Sequence, residues 1–201
     1  ARYLEGTAAV PDAGPLEWIA VAEMAIRGKE AAIERLDEMT VKDFERPFEK
    51  IDDYEDTADF DLLYLMNLRL GYPEQIEPEV SRAISERILG FKYWYTDSTP
   101  HVTDNRWYWS ENHRIIFHTI ELLAGEMFPD RTFEVPNGDG EEMTGEDHIE
   151  RATQFINEWI DEKAEFGFSE WHSDVYYQKD LTPLLTLVEF ARDPDIAARA
   201  A

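Results

Sequence analysis

Three consecutive polar residues, Glu111, Asn112 and His113, stand at the start of an apolar stretch near the middle of the chain. The apolar residues after them recur at spacings of three and four, as one buried helix face requires; they are Ile116, Ile120, Leu123 and Met127. Continued backwards, this spacing predicts that Asn112 and His113 face the interior at the helix N-terminus, where backbone N–H groups lack partners and the helix dipole is positive. A buried amide and imidazole need hydrogen-bond partners, so the pair is either a structural network or a reactive site.

A second polar and aromatic segment, residues 167–177, precedes the last predicted helix. Its candidate functional residues are Glu170, Trp171, His172, Asp174, Tyr176 and Tyr177. In a bundle of antiparallel helices the two segments would lie at the same end, around a cavity with indole walls from Trp94, Trp107, Trp109 and Trp171. Sugar rings stack on indole faces and bind amides and carboxylates through their hydroxyls, so the grouping predicts a carbohydrate site, with ordinary core packing of the aromatics as the alternative.

The residue types that can bind metals do not occur in this sequence with the spacing of a known metal site. The chain has no Cys, which excludes disulfides, thiolate catalysis and cysteine-based zinc sites. His113 and His118 are five residues apart and so lie on different helix faces. Asn137, Asp139 and Glu141 alternate like calcium ligands, but without the spacing of an EF-hand. We therefore predict no metal and no cofactor.

The chain is strongly acidic, with 44 Asp and Glu against 19 Lys and Arg and a formal net charge of -25. A surface of this sign is a poor partner for nucleic acid. The acids are scattered through a well-patterned chain, as in proteins of salt-loving organisms, and at about 1 M salt a Debye length of ~3 Å would screen their repulsion. There is no visible signal peptide and no apolar run of membrane-spanning length, so we expect a soluble protein without membrane contact; its compartment stays undetermined.

Helical periodicity recurs along the chain and no segment alternates like a strand, which predicts an all-α fold of six or seven helices. Helices are predicted from Pro15, from Asp56 or Thr57 to Gly71, from Pro78, from Ser110 to Met127, from Thr144 to Gly167, and either from Ser173 through a kink at Pro183 or from Thr182. Residues 1–14 are predicted to be a lead-in and residues 40–56 an irregular connection. The chain is expected to form one domain, residues 1–201, of a larger polypeptide.

Tight connections alternate with long, aromatic and polar ones along this predicted order of helices. Stacked helical hairpins have this pattern when their long loops gather at one end. We therefore predict antiparallel helical hairpins that form part of an α/α toroid.

The sequence from Ser110 to His113 resembles the Asn-His pair of α/α-toroid polysaccharide lyases, such as alginate and chondroitin lyases. The wider pattern, WSENH followed by GFSEW, a double Tyr and PLLTLVEFA, resembles a region of large bacterial and archaeal proteins of unknown activity. This wider resemblance covers about Asp53 to Ala200. It implies a toroid that binds a poly- or oligosaccharide and is joined to the remainder of a larger polypeptide.

In those lyases an Asn neutralises a substrate carboxylate, a His or Tyr removes the neighbouring proton, and a Tyr protonates the leaving oxygen. The resemblance therefore implies Asn112 as neutraliser, His113 as base, and Tyr176 or Tyr177 as the Tyr. An imidazole titrates near neutrality, which suits a general base. Glu111 stands where alginate-type lyases have a second Asn.

Two other functions fit the same residues. A glycoside hydrolase would use Glu170 or Glu111 as general acid and Asp174 or another carboxylate as base, with the carboxyl groups ~5–5.5 Å apart in a retaining enzyme and ~6.5–9.5 Å apart in an inverting one. A non-catalytic helical domain would bind a glycan or act as a scaffold for another segment of its own protein.

Overall fold

A computed structural model describes residues 22, 25, 28–98, 103–170, 172–173 and 175–201. These residues contain a short 3-10 helix, Val41–Phe44, and eight α-helices: α1 (Glu30–Leu36), α2 (Glu45–Asp52), α3 (Ala58–Gly71), α4 (Pro78–Gly90), α5 (Glu111–Met127), α6 (Gly145–Phe166), α7 (Tyr177–Phe190) and α8 (Pro194–Ala200). They contain no β-strand, only an isolated bridge between Thr132 and Thr144, so the predicted all-α class is confirmed. No helix within these ranges is long and apolar enough to cross a membrane. The predicted lead-in and the start of the predicted first helix lie outside the described residues.

Helix α5 is the central element, because it packs against α3, α6 and α7. The sequence predicts one buried face, but every residue of α5 except Arg114 and Met127 is buried. One apolar cluster lies between α5 and the helices before it. A second joins Ile115 and Leu122 of α5 to α6, α7 and α8. A helix enclosed on all sides in this way must provide a partner for each of its polar side chains.

Several predicted helix ends are confirmed. Thr144 and Asp147 form the predicted capping box at the start of α6, in which the Thr144 N–H donates to Asp147 Oδ2 over 2.7 Å. Gly71 is the last residue of α3, and Pro78 is the first of α4. Pro183 lies inside α7, as in the alternative of a helix that continues through this proline.

One of the predicted connections is wrong. The segment predicted to be irregular, residues 40–56, instead folds into the 3-10 helix and α2, whose Phe48 and Ile51 are buried. Phe44, Phe48 and Ile51 do have the spacing of one helix face, but two turns repeat that spacing too few times for it to be recognised among the surrounding charged residues. Helix α7 ends at Phe190, and Pro194 begins α8, where the Asp195 N–H donates to the side chain of Asp193 over 2.9 Å.

A buried ionic network joins α5, α6 and the segment after α4. Arg151 of α6 donates to both carboxylate oxygens of Asp97, over 2.6 and 2.8 Å, and through Nε to Glu121 of α5 over 2.6 Å. Glu121 is fully buried and also contacts Nδ1 of His148 at 2.9 Å and Nδ1 of His118 at 3.3 Å. Burial by itself would raise the pKa of Glu121, but the histidine contacts and the charge of Arg151 lower it to about 2.

Replacement of Arg151 by Met should lower the free energy of unfolding at pH 7 by about 3–5 kcal/mol, because Asp97 and Glu121 would stay buried without their cation. In the wild type the stabilisation from Glu121 is complete above its unfolded pKa of 4.5 and is lost as the pH falls towards 2. The difference between the two proteins should therefore be largest near neutral pH and shrink below about pH 4.5.

Urea unfolding of both proteins across this pH range measures the effect. Arg82→Met is the matched control, since Arg82 forms ion pairs with Glu79 and Glu86 at an exposed position and should contribute little. A pH-independent difference, or equal losses in the two variants, would contradict the stabilising role of Arg151.

Candidate functional site

Glu111 joins the two segments that the sequence analysis singled out. Its Oε1 accepts a hydrogen bond from the Glu170 N–H over 2.6 Å, and its Oε2 accepts from the Ser169 N–H and from Lys163 Nζ over 3.0 and 2.8 Å. Its backbone oxygen accepts from Trp159 Nε1 over 3.0 Å. Burial would raise the pKa of Glu111, but the Lys163 ammonium and the backbone donors lower it. Glu111 is therefore an ionised clamp that holds the connection after α6 against the start of α5.

His113 and Asp59 form a buried pair. Asp59, on α3, is fully buried, and its Oδ2 lies 2.8 Å from His113 Nδ1. The His113 side chain is 9% exposed, and its second ring nitrogen, Nε2, makes no hydrogen bond within the described part of the chain. Burial raises the pKa of Asp59, and the hydrogen bond with His113 opposes that rise. A carboxylate at Nδ1 fixes the ring and leaves Nε2 to act as a proton acceptor.

Asn112 stabilises the first turn of α5. Its Oδ1 accepts hydrogen bonds from the Ser110 hydroxyl and from the His113 N–H. The amide nitrogen, Nδ2, makes no hydrogen bond to any described residue. The Asn112 carbonyl oxygen, Oδ1, thus has a structural role, and the N–H donors of Nδ2 remain available.

Three carboxylates meet beside this turn. One oxygen from each of Glu111, Glu170 and Asp180 lies within 4.8 Å of the others. Asp180, in the first turn of α7, is fully buried, and neither of its carboxylate oxygens has a hydrogen-bond partner among the described residues. Burial, followed by the charges of Glu111 and Glu170, raises the pKa of Asp180 to about 7, and Lys163 opposes this rise. Burial also raises the pKa of Glu170, whose Oε2 is enclosed with no partner in the part of the chain that the structure describes.

Lys179 adds a positive charge near His113. Its Nζ lies 5.6 Å from the centre of the Phe60 ring, and that ring lies 5.0 Å, edge to face, from the His113 ring. Lys179 forms no ion pair with any described residue. In a chain of net charge -25, a lysine without a carboxylate partner is available to an anionic ligand.

The predicted aromatic and tyrosine residues differ in their exposure. Trp94 is almost fully buried, with its ring 4.4 Å from that of His118, whereas Trp107 and Trp109 are 54% and 56% exposed. Tyr176 is exposed, and the Tyr177 ring packs at 5.3 Å against Phe168. The remaining candidate residues are His172, which is exposed, and Trp171 and Asp174, which lie outside the described residues.

The sequence analysis missed Asp59, Lys163, Lys179 and Asp180. A signal was present for the two aspartates, because each lies three and seven residues before a buried position of its helix: Leu62 and Met66 for Asp59, and Pro183 and Leu187 for Asp180. A carboxylate on a buried stripe needs a partner, which marks it for attention. No comparable sequence pattern marks Lys163 or Lys179.

Two surface clefts lie away from these side chains. One runs between α3 and α7, beside Asn67 and Thr186, and the other lies beside Arg106 and Glu134. Neither is lined by His113, so a ligand of His113 would approach through the small exposed part of its side chain.

No protein-family model, no curated protein and no solved structure matches this chain. Helical folds support many unrelated activities, so a fold class does not assign a function. The function is therefore inferred from the geometry of the side chains at the start of α5.

Replacement of Glu111 by Ala should release the connection after α6. Hydrogen exchange of the Ser169 and Glu170 amides should accelerate about tenfold or more, because each loses a charge-assisted hydrogen bond. Glu162→Ala is the matched control, since Glu162 contacts the same Lys163 at 3.0 Å and, among the described residues, otherwise forms an ion pair only with Arg114, at 3.2 Å. Equal acceleration in both variants would show that the loss of a Lys163 partner, and not the clamp, causes the change.

Proposed function

We propose that this chain is a carbohydrate-active domain of an α/α toroid, within a larger polypeptide, and that it cleaves an acidic polysaccharide by β-elimination. The observation that most supports this proposal is the His113–Asp59 pair, in which a buried carboxylate orients an imidazole whose Nε2 has no partner among the described residues. That arrangement suits a general base, because the carboxylate also stabilises the imidazolium that forms.

In this mechanism His113 Nε2 removes the proton from the sugar carbon that bears the carboxylate. The electron pair of that C–H bond forms a carbon–carbon double bond, and the glycosidic C–O bond at the neighbouring carbon breaks. The Tyr177 hydroxyl donates its proton to the leaving oxygen. The products are an unsaturated uronide and a new hydroxyl end, so no water is consumed.

The substrate carboxylate needs a positive or hydrogen-bonding partner, since proton removal beside it increases the negative charge. Asn112 Nδ2 and Lys179 Nζ are suited to this role, because Asn112 Nδ2 makes no hydrogen bond, and Lys179 Nζ no ion pair, within the described residues. The resemblance to the lyases implies only Asn112 as the partner of the substrate carboxylate, and we add Lys179 to that role. The exposed Trp107 and Trp109 are the proposed stacking surface for flanking sugar rings.

The contacts of Glu111 argue against those versions of the hydrolase alternative in which Glu111 is the general acid or the base. A hydrolase built on Glu111 and Glu170 needs both carboxylates at the substrate. The two carboxylate oxygens of Glu111 already accept three hydrogen bonds from Lys163 and the 169–170 backbone. An internal clamp of this kind has little capacity to act on a sugar.

Replacement of His113 by Gln should lower kcat on a polyuronate by at least about 10²-fold, because the general base is lost. Asp59→Asn should also reduce kcat, since the amide no longer stabilises the imidazolium. Tyr177→Phe retains the ring on Phe168 and should lower kcat without loss of fold. The readout is ultraviolet absorbance of the unsaturated product, with thermal unfolding as a check on each variant.

Full activity in His113→Gln would exclude His113 as the base. New reducing ends without the absorbance would identify a hydrolase instead. Wild-type protein with neither product, on alginate, chondroitin and pectate, would favour the non-catalytic alternative.

Replacement of Lys179 by Met should raise KM for a polyuronate roughly tenfold, because the substrate carboxylate loses a charge-assisted contact. A neutral glycan should bind equally to the two proteins. Lys42→Met is the matched control, since Lys42 is an exposed lysine of the 3-10 helix. An equal change in both variants would attribute the effect to net charge alone.

A further inference from the structure

The fully buried side chain of Asp180 has a carboxylate with no visible partner. Both of its oxygens are enclosed and accept no hydrogen bond within the described residues. An ionised carboxylate in such a place is costly unless a cation or several donors neutralise it. A buried polar group without a partner in a folded protein points to an ion, a water or a proton that completes it.

The groups around Asp180 are mostly negative: two further carboxylates lie beside it, with the Lys163 ammonium as the neighbouring cation. Glu170 Oε2 is also enclosed with no partner among the described residues, and one oxygen of each of Glu111, Glu170 and Asp180 lies within 4.8 Å of the others. Within the same residues Glu111 Oε1 accepts one hydrogen bond, from the Glu170 N–H, and so retains a second lone pair. Lys163 is the cation that contacts this group, through Glu111, which leaves two negative charges of the three uncompensated when all are ionised.

The geometry matches one class of cation. All three ligands are carboxylate oxygens, which hard cations such as Ca²⁺ and Mg²⁺ prefer over zinc or copper. Two oxygens bound to one Ca²⁺ at 2.3–2.6 Å can lie up to about 5 Å apart, which is compatible with the observed spacing. Mg²⁺ binds at 2.0–2.1 Å in a strict octahedron and retains most of its water, which suits an enclosed site less well.

We propose that Glu111, Glu170 and Asp180 form a Ca²⁺ site that ties together the start of α5, the connection after α6 and the first turn of α7. The site goes beyond the proposed lyase activity and does not depend on it. Within the described residues this is the one group of three or more acidic or histidine side chains with metal-ligand spacing. The loop with Asn137 and Asp139 lacks that spacing, and Asn137 Oδ1 there accepts the Asp139 and Glu141 N–H groups.

The test measures Ca²⁺ binding to the chelator-treated chain by calorimetry and by thermal unfolding. It uses about 0.5 M KCl, so that non-specific attraction to the acidic surface is screened. One equivalent of Ca²⁺ should bind, and at about ten times its Kd the unfolding midpoint should rise by roughly 3–5 °C. Mg²⁺ should bind more weakly than Ca²⁺. No sugar is present, so the outcome is independent of lyase activity.

Two ligand variants and one control complete the experiment. Asp180→Asn and Glu170→Gln, which preserve side-chain size, should each weaken Ca²⁺ binding at least about tenfold. Asp139→Asn removes an exposed acid of the 137–141 loop and should bind Ca²⁺ like the wild type. Tb³⁺ luminescence sensitised by Trp159, whose indole donates to the Glu111 carbonyl, gives a second readout of the same site. Absence of saturable Ca²⁺ binding, or unchanged binding in Asp180→Asn, would overturn the proposal.

Discussion

Arg151 compensates two carboxylates in the interior, and the packing of the central helix depends on that compensation. Glu121 and Asp97 lie on different segments, and each is almost fully buried. Burying either carboxylate without a cation would cost much folding free energy. The Arg151 guanidinium contacts both carboxylates at 2.6–2.8 Å and so compensates them. Apolar faces of α5 and α6 could pack in several registers, whereas the ionic contact is satisfied in only one. The charge network therefore fixes how α6 lies along α5.

That register extends over the whole length of the two antiparallel helices. Towards the end of α6, Lys163 is twelve residues from Arg151, or about 18 Å of helix, and it contacts Glu111, ten residues or about 15 Å from Glu121. At the opposite end of the pair, near the start of α6, a Cβ on Gly125 would lie 2.5 Å from the Gly145 carbonyl oxygen. The two helices can approach this closely because both positions are glycine. The interior ion pair thus aligns the Glu111 clamp, and the clamp positions the connection that includes Glu170.

The sequence predicts the helices well where they are long and regular, as in α3, α5 and the capped start of α6. It fails for α2, because two turns give too few repeats, and for the partners of the polar residues. His113 could be identified as an inward polar residue from its place on the α5 stripe. Its partner Asp59 lies 54 positions away on α3, and only the packing of α3 on α5 brings the two together. Similarly, Lys179 depends on how α7 crosses α3, which no local pattern encodes.

Helix α5 has two kinds of histidine–carboxylate contact, and their surroundings separate a structural role from a reactive one. At Glu121, Arg151 already supplies the positive charge, and Nε2 of both His118 and His148 is buried with no partner in the described ranges. Burial lowers the pKa of His118, and the charge of Arg151 lowers it further, although the nearby Glu121 carboxylate opposes both effects. At Asp59 no described cation forms an ion pair with the carboxylate, and part of the His113 side chain is exposed. A proton on His118 would therefore add a second positive charge beside Arg151, whereas His113 lies beside a buried carboxylate that has no described cation in an ion pair. This difference in local charge, more than the identity of the residues, distinguishes the surroundings of His113 from those of His118.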